Sequence, residues 1–150
     1  MPDKRPAKKR KPPKRKKPAK KTAVTAAPIA GGYRVIWLPD ADAELKAIED
    51  AKEQVALRHV GEKLAVEGPR LGYPHSSAVQ AEAGKGFREL RPRRGRSPWR
   101  AIYRQVNKTS FVVLAVGPEA EVNESGFNAA VKSAKSRFAT LQANAKKKGS

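Results

Sequence analysis

The sequence predicts an α+β fold, in which a mostly antiparallel sheet of about four strands is combined with an N-terminal helical pair and a C-terminal helix. Apolar residues recur at helical spacing after the first strand and after the last one. Helices are expected to cover one face of the sheet. The strands are predicted from short runs rich in β-branched and aromatic residues, at residues 33–38, 87–91, 99–104 and 110–116.

A polybasic segment precedes this domain. Residues 1–22 consist almost entirely of Lys, Arg, Pro and Ala and hold twelve basic residues against one Asp, and an Ala/Gly/Pro linker follows. This composition buries too little apolar area to offset the entropy of ordering the chain, so residues 1–32 are predicted to be disordered and the domain to occupy residues 33–142. The tail is expected to bind RNA or DNA phosphates without reading sequence, and a merely solubilising extension is the alternative.

The helical region starts directly after the first strand. Asp40 is its candidate N-cap. Its apolar residues form two stripes slightly out of phase, which predicts either two helices or one helix bent at residues 50–54. The sequence Glu-Gly-Pro at residues 67–69 ends the region, because glycine and proline interrupt helices.

An arginine-rich hairpin is predicted at residues 85–104, with proline at each end of its loop. Phe87 and Leu90 have opposite parity, which predicts a β-bulge near Arg88 or Glu89. Alternation in the second strand predicts a packed face with Trp99, Ala101 and Tyr103. The opposite face then carries Arg100, Ile102 and Arg104 and is expected to offer two guanidinium groups. The hairpin's basic residues are Lys85, Arg88, Arg91, Arg93, Arg94, Arg96, Arg100 and Arg104, against Glu89 alone.

The last strand and helix complete the domain. Residues 110–116 are continuously apolar, which is typical of a central strand covered at least partly on both faces. Ser125 is a candidate cap for the final helix, and residues 143–150 are expected to fray. The apolar stripe that docks this helix on the sheet is Phe127, Val131, Ala134, Phe138 and Leu141.

Charge and composition limit the function. The net charge is +19, concentrated in the tail and the hairpin, and this pattern indicates a polyanion partner. The chain has no cysteine, and its two histidines, His59 and His75, lie far apart, so no metal or other cofactor is predicted. The longest apolar run is too short to cross a bilayer, and we expect a cytoplasmic protein.

The predicted loop at residues 70–84 holds further polar candidates. A histidine side chain ordinarily titrates near neutral pH, so His75 is a candidate general acid. A histidine with no acid or nucleophile beside it is more often a loop hydrogen-bonding group. Ser76 and Ser77 are equally open, because serines favour turns for local reasons.

Two strand motifs resemble the RelE/HigB type of toxin, the toxin half of bacterial and phage type II toxin–antitoxin systems. Residues 86–91, Gly-Phe-Arg-Glu-Leu-Arg, resemble the family's Gly-Leu-x-Glu-Leu-Arg strand. Residues 99–103, Trp-Arg-Ala-Ile-Tyr, resemble its aromatic-Arg-x-aliphatic-aromatic strand. The likeness covers roughly residues 33–141 and implies a RelE-like fold.

The resemblance also implies an activity: metal-independent cleavage of mRNA, usually on the ribosome, until a cognate antitoxin covers the basic face. Arg100 matches a position at which the family commonly keeps a functional arginine, and Arg91 matches a basic position on the neighbouring strand. Glu119 and Phe127 depart from the pattern, since they stand where a basic residue and a Tyr or His often occur.

The expected chemistry assigns roles to the hairpin. Arg100 and Arg91 stabilise the pentavalent phosphate, and Glu89 acts as general base towards the 2′-hydroxyl. The alternative is that Glu89 only pairs with Arg91 or Arg100. Two other classes of function stay open: a non-catalytic nucleic-acid binder, and an interaction module for an acidic protein. Expected RNA-binding residues are Lys85, Arg88, Arg93, Arg94, Arg96 and Arg104.

Overall fold

The computed structural model describes residues 32–80 and 84–149. Their elements, in chain order, are β1 (Arg34–Trp37), α1 (Pro39–Lys46), α2 (Ala51–Glu67), β2 (Ser76–Ala78), β3 (Arg88–Leu90), β4 (Trp99–Asn107), β5 (Ser110–Pro118) and α3 (Glu124–Gly149). The strands form one sheet in the order β1-β5-β4-β3-β2. β1 lies parallel to β5 and every other pair is antiparallel, which confirms the predicted α+β class and its mostly antiparallel sheet.

The sheet has one strand more than predicted. β2 falls in the stretch that was expected to be a loop, and it pairs antiparallel with β3 at the sheet edge. Three residues, Ser-Ser-Ala, carry no apolar alternation. This strand is defined by its pairing with β3, which a local pattern does not reveal.

Helices cover both faces of the sheet, so the expectation of one covered face is wrong. Residues of β4 and β5 alternate between two separate cores, except that Leu114 and Ala115 of β5 both lie in the second. The first core, beneath α1 and α2, includes Leu45, Leu57, Leu64, Ala101, Tyr103, Phe111 and Val113. The second, beneath α3, includes Ile102, Val112, Leu114, Phe127, Val131 and Ala134. The predictions that β5 is a doubly covered central strand and that α3 docks by its apolar stripe are confirmed.

The caps of the helices differ from those predicted. The helical region is two helices, and Asp50 caps α2 by accepting a hydrogen bond from the Lys52 backbone N–H at 2.9 Å. Asp40 is not a cap, because α1 begins one residue earlier, at Pro39. α3 is capped by Asn123, whose Oδ1 accepts from the Gly126 N–H at 3.0 Å, rather than by Ser125.

The hairpin forms as predicted, but its bulge lies elsewhere. β3 pairs with β4 in regular register, with Arg88 opposite Tyr103 and Leu90 opposite Ala101. Phe87 and Leu90 simply enter opposite cores, so their parity needs no bulge. The irregularities lie instead in the pairing of β4 with β5, which skips Leu114 of β5 at one place and Val106 of β4 at the other.

Two predictions concern the ends of the chain, at residues 1–32 and 143–150. The predicted disorder of residues 1–32 lies outside the described residues, apart from Gly32. The α3 backbone is helical to Gly149, and fraying at residues 143–150 stays a prediction. Within residues 32–80 and 84–149, no helix combines the length and the apolar character needed to span a membrane.

Candidate active site at the arginine hairpin

A cavity of about 270 Å³ opens between the hairpin and the start of α3. It brings together the three residues predicted to be catalytic, Glu89, Arg91 and Arg100. Glu121, which no motif in the sequence indicated, also lines it. The remaining lining residues are Gln80, Gly95, Glu119, Ala120 and Phe127.

Arg100 is buried in the wall of this cavity, with 2% of its surface exposed. Its Nη1 donates to the carbonyl oxygens of Ser97 and Trp99, at 2.8 and 2.9 Å. Its Nη2 donates to the Gly95 carbonyl at 3.3 Å and to the Glu119 carboxylate, and its Nε lies 3.4 Å from Glu89 Oε1. Burial lowers the pKa of Arg100, and the nearby carboxylates of Glu119 and Glu89 oppose that shift.

The β4 face that holds Arg100 is therefore not the open face that the sequence analysis expected. Ile102, the next residue on this face, is fully buried in the core beneath α3. All three nitrogens of the Arg100 guanidinium already face oxygen atoms. Strand alternation correctly placed Arg100 beside Ile102, but it did not show that α3 and Glu119 would cover this face.

Glu89 is the meeting point of the polar contacts around the cavity. Its Oε2 accepts a hydrogen bond from Ser77 Oγ at 2.9 Å and lies 3.9 Å from Arg91 Nη1. Its Oε1 faces Arg100. The carboxylate is thus held by β2, β3 and β4 together, and the alternative that Glu89 pairs with Arg91 or Arg100 is observed for both.

Arg91 is more available than Arg100. Its Nε donates to the Pro74 carbonyl at 3.2 Å, which leaves the outer nitrogens near the cavity. Its guanidinium lies 5.0 Å from the centroid of the Tyr73 ring, and 77% of Tyr73 is exposed. Tyr73 is a candidate contact residue that sequence reasoning missed. An aromatic residue in a loop without periodicity gave no signal of a nearby arginine.

The loop between β3 and β4 presents three further arginines. Arg94 and Arg96 are exposed, and the exposed Arg93 pairs with Glu53 of α2 at 2.8 Å. Arg93 and Arg94 have φ angles of 55° and 59°, in the left-handed region that non-glycine residues rarely adopt. The Glu53 carboxylate, on a residue 6% exposed, is thus an anchor for a strained basic loop.

Arg88 and Arg104 lie away from this cavity. They line a second pocket towards the other end of β4. Lys85, the remaining predicted RNA-binding residue, is exposed in the segment before β3.

Of the three polar candidates at residues 75–77, one contacts the candidate site and two do not. Ser76 is fully buried and shares a 2.6 Å hydrogen bond with the Tyr103 hydroxyl, while Ser77 supports Glu89. His75 does not line the cavity. Partial burial lowers the pKa of His75, and the positive charges of Lys63 and Arg94 lower it further. No cluster of three or more His, Cys, Asp or Glu residues suited to a metal occurs in the described part of the chain.

The chain matches a known protein family. The family described as "Phage derived protein Gp49-like (DUF891)" matches residues 43–118. This range includes α2, the hairpin and β5, and it contains Glu89, Arg91 and Arg100. Among curated proteins, none matches the sequence.

Two solved structures contain chains similar to this one. The toxin–antitoxin complex RelBE2 from Mycobacterium tuberculosis includes a chain 21% identical, with 59% of this chain and 99% of that chain covered and a TM-score of 0.46. YafQ from E. coli strain BL21(DE3) is 14% identical, with 61% and 98% covered and a TM-score of 0.43. At such TM-scores, neither likeness decides the fold or the activity of this chain.

Proposed function

This chain belongs to the phage-derived Gp49-like family, a family of the RelE/HigB toxin type, and we propose that it is a toxin that cleaves RNA and is neutralised by an antitoxin. The observation that carries the proposal is the convergence of Glu89, Arg91 and Arg100 on one cavity. Paired acidic and basic groups at a cavity are what metal-independent RNA cleavage requires. The proposed substrate is mRNA, engaged on the ribosome.

In the proposed reaction Glu89 accepts the proton of a ribose 2′-hydroxyl, and the 2′-oxygen attacks the adjacent phosphorus. The bond to the 5′-oxygen breaks, which leaves a 2′,3′-cyclic phosphate and a free 5′-hydroxyl. Arg91 binds the phosphate oxygens as their charge grows in the transition state. Neither histidine lines the cavity, so the leaving 5′-oxygen takes its proton from water.

Arg100 acts on Glu89 in this proposal rather than on RNA. Its Nε and the Ser77 hydroxyl face different oxygens of the Glu89 carboxylate, which fixes the orientation of the general base. Rigid placement of a base matters because a small displacement from the reacting proton lowers the rate steeply. Arg100 is therefore a positioning residue.

A second candidate function is non-catalytic RNA binding, and one observation favours it. The Glu119 carboxylate accepts a hydrogen bond from the Arg100 guanidinium. Together with Glu89 and Glu121 it gives the cavity three carboxylates, against the two guanidinium groups of Arg91 and Arg100. That charge balance disfavours a phosphate at the cavity centre. Under this candidate, the exposed arginines bind RNA and no bond is cut.

The test is cleavage of mRNA on translating ribosomes by the full chain, followed by primer extension. Glu89→Gln removes the proposed base but keeps the shape, and we expect cleavage to fall by roughly 10²–10⁴-fold with RNA affinity nearly unchanged. Glu62→Gln is the matched control, because Glu62 is exposed on α2. Cut ends should carry 2′,3′-cyclic phosphates. RNA that is bound but left intact by the wild type would support the second candidate instead.

A further inference from the structure

A second cavity, of about 490 Å³, lies towards the end of β4 remote from the arginine-rich loop. Three arginines line it, Arg70 after α2, Arg88 on β3 and Arg104 on β4, and we call it the arginine groove. We propose that the arginine groove binds the phosphate backbone of single-stranded RNA, as a site separate from the Glu89 cavity. Arg104 lies four residues after Arg100 on β4, which is about 13 Å along the strand.

Arg88 is held by two buried hydroxyl groups. Its Nε lies 3.1 Å from Ser76 Oγ and 3.3 Å from the Tyr103 hydroxyl, and these hydroxyls also bond to each other at 2.6 Å. Ser76 and Tyr103 are 0% and 2% exposed. The contact uses only the inner nitrogen of Arg88. Its two outer nitrogens make no hydrogen bond to a described residue, and they present the donor pair that matches a phosphate.

Arg104 is held by aromatic rings instead. Its guanidinium carbon lies 5.0 Å from the Phe87 ring centroid and 4.7 Å from that of Phe138. Packing against aromatic rings fixes the guanidinium without consuming its N–H groups. Gly86 has a φ of 90°, in the left-handed region that favours glycine, and a Cβ there would lie 2.8 Å from Arg104 Nη1.

The pairing of β4 with β5 is irregular on both sides of the groove residues. The register shifts between Ile102 and Tyr103 and again between Gln105 and Asn107. Tyr103, Arg104 and Gln105, which lie between the two shifts, all line the groove. Tyr103 belongs to the core beneath α1 and α2, whereas the Arg104 guanidinium packs on Phe138 of α3. The groove at this end of β4 therefore takes in residues from both faces of the sheet.

The two cavities differ in charge. The Glu89 cavity has three carboxylates, whereas the described lining of the arginine groove has three guanidinium groups and no carboxylate. In the described part of the chain, ion pairs within 4.0 Å engage Arg58, Arg91, Arg93, Arg100 and Arg137 but none of the three groove arginines. Of these two cavities, the arginine groove is therefore the more favourable site for a polyanion.

The choice of RNA over an acidic protein segment rests on the proposed function and on the surface around the groove. Amphipathic helices dock through apolar anchors. The exposed large hydrophobic side chains of the described residues are Val55, Val66, Tyr73, Val106 and Val122, and none of them lines the groove. Among the described residues, the groove has guanidinium groups without ion-pair partners and lacks an exposed apolar stripe. It is therefore better suited to a phosphate backbone than to an amphipathic helix of a partner protein.

The test measures affinity of the full chain for a 2′-O-methyl RNA oligonucleotide, which cannot be cleaved through its 2′-position. Arg70→Gln and Arg88→Gln are each expected to weaken binding several-fold and to flatten the plot of log affinity against log salt by about 0.7. Lys132→Gln removes the same charge from an exposed position on α3 and is the control. Arg70 is also exposed, so its variant is expected to keep the wild-type melting temperature.

Two results overturn the proposal. One is that both groove variants bind RNA with the affinity and salt slope of the Lys132→Gln control. The other is that they keep RNA affinity but lose binding to a poly-glutamate peptide, which assigns the groove to an acidic protein. Cleavage on ribosomes is scored separately: a wild type that cuts no mRNA refutes the proposed activity, while the binding results still decide the groove.

Discussion

All three nitrogens of the Arg100 guanidinium face oxygen atoms of the protein. Carbonyls of residues 95, 97 and 99 and the carboxylates of Glu89 and Glu119 surround it at 2% exposure. A buried charge persists because these partners replace its water. The same contacts make Arg100 a poor candidate for direct contact with a phosphate.

We expect Arg100→Ala to lower the free energy of unfolding by about 3–5 kcal/mol, because it leaves Glu89 and Glu119 facing each other without their shared cation. Urea denaturation measures this change. Arg94→Ala is the control, since Arg94 is exposed and its removal should change stability by less than about 0.5 kcal/mol. If Arg100→Ala instead unfolds like the wild type and loses only cleavage, the guanidinium acts on substrate, as the sequence analysis expected.

At the residue scale, the sequence predicted which residues form the candidate site and on which strand face Arg100 lies, but not which side chains surround them. Strand parity placed Arg100 beside Ile102. The resemblance singled out Arg91 and Arg100 and the expected chemistry added Glu89, and the three do share a cavity. The contact with Glu119 joins residues 19 positions apart through the loop before α3. Neither a period nor a local motif contains such a contact.

At the element scale, β5 is longer than the neighbour that covers its edge. β1 pairs only with residues 110–113 of β5. Beyond that point Arg137 of α3 donates to the Leu114 carbonyl at 2.8 Å, and Glu44 of α1 accepts from the Val116 N–H at 3.0 Å. The two side chains also pair with each other at 2.8 Å, so an ion pair continues the sheet edge and joins both helical layers to it.

We expect Arg137→Met to lower the free energy of unfolding by about 1.5–3 kcal/mol, because it removes the charge-assisted hydrogen bonds to Glu44 and to the β5 backbone together. The Glu44 contact raises the pKa of Arg137, in keeping with a net attraction. Lys46→Ala is the matched control, since Lys46 pairs with Asp42 on the surface and should contribute about 0.5 kcal/mol or less. Equal effects of the two substitutions would contradict the proposed role of the ion pair.

The elements with strong patterns were predictable for a physical reason. β5 and α3 bury long apolar stripes, and burial is what a hydrophobic period reports. β2 has three residues and no stripe, and its existence depends on the edge that β3 offers. The predicted helix caps were wrong for a similar reason. Several polar residues near each helix start fit the capping rule, and the prediction chose Asp40 and Ser125 where the structure has Asp50 and Asn123.

At the scale of the whole molecule, positive charge is divided among surfaces with different partners. The sequence showed that the hairpin is basic, but not that its arginines separate into a neutralised cavity, an exposed loop and the arginine groove. Arg100 is paired with Glu89 and Glu119 and is therefore not available to bind a polyanion. Arg70, Arg88 and Arg104 remain available to bind one. Total charge therefore predicts the class of partner, while its position on the molecule depends on the fold.

The tail supplies the last prediction. Residues 1–22 carry twelve basic residues and one Asp, and replacing those twelve by glutamine keeps the length of the chain. Binding should weaken alike for RNA and DNA of any sequence, and the salt slope for single strands should fall by about 0.7 for each phosphate that the tail no longer neutralises. Titrations against several oligonucleotides at stepped salt measure both quantities. An effect confined to one oligonucleotide would show that the tail reads sequence, and a lowered melting temperature would show that it packs on the domain.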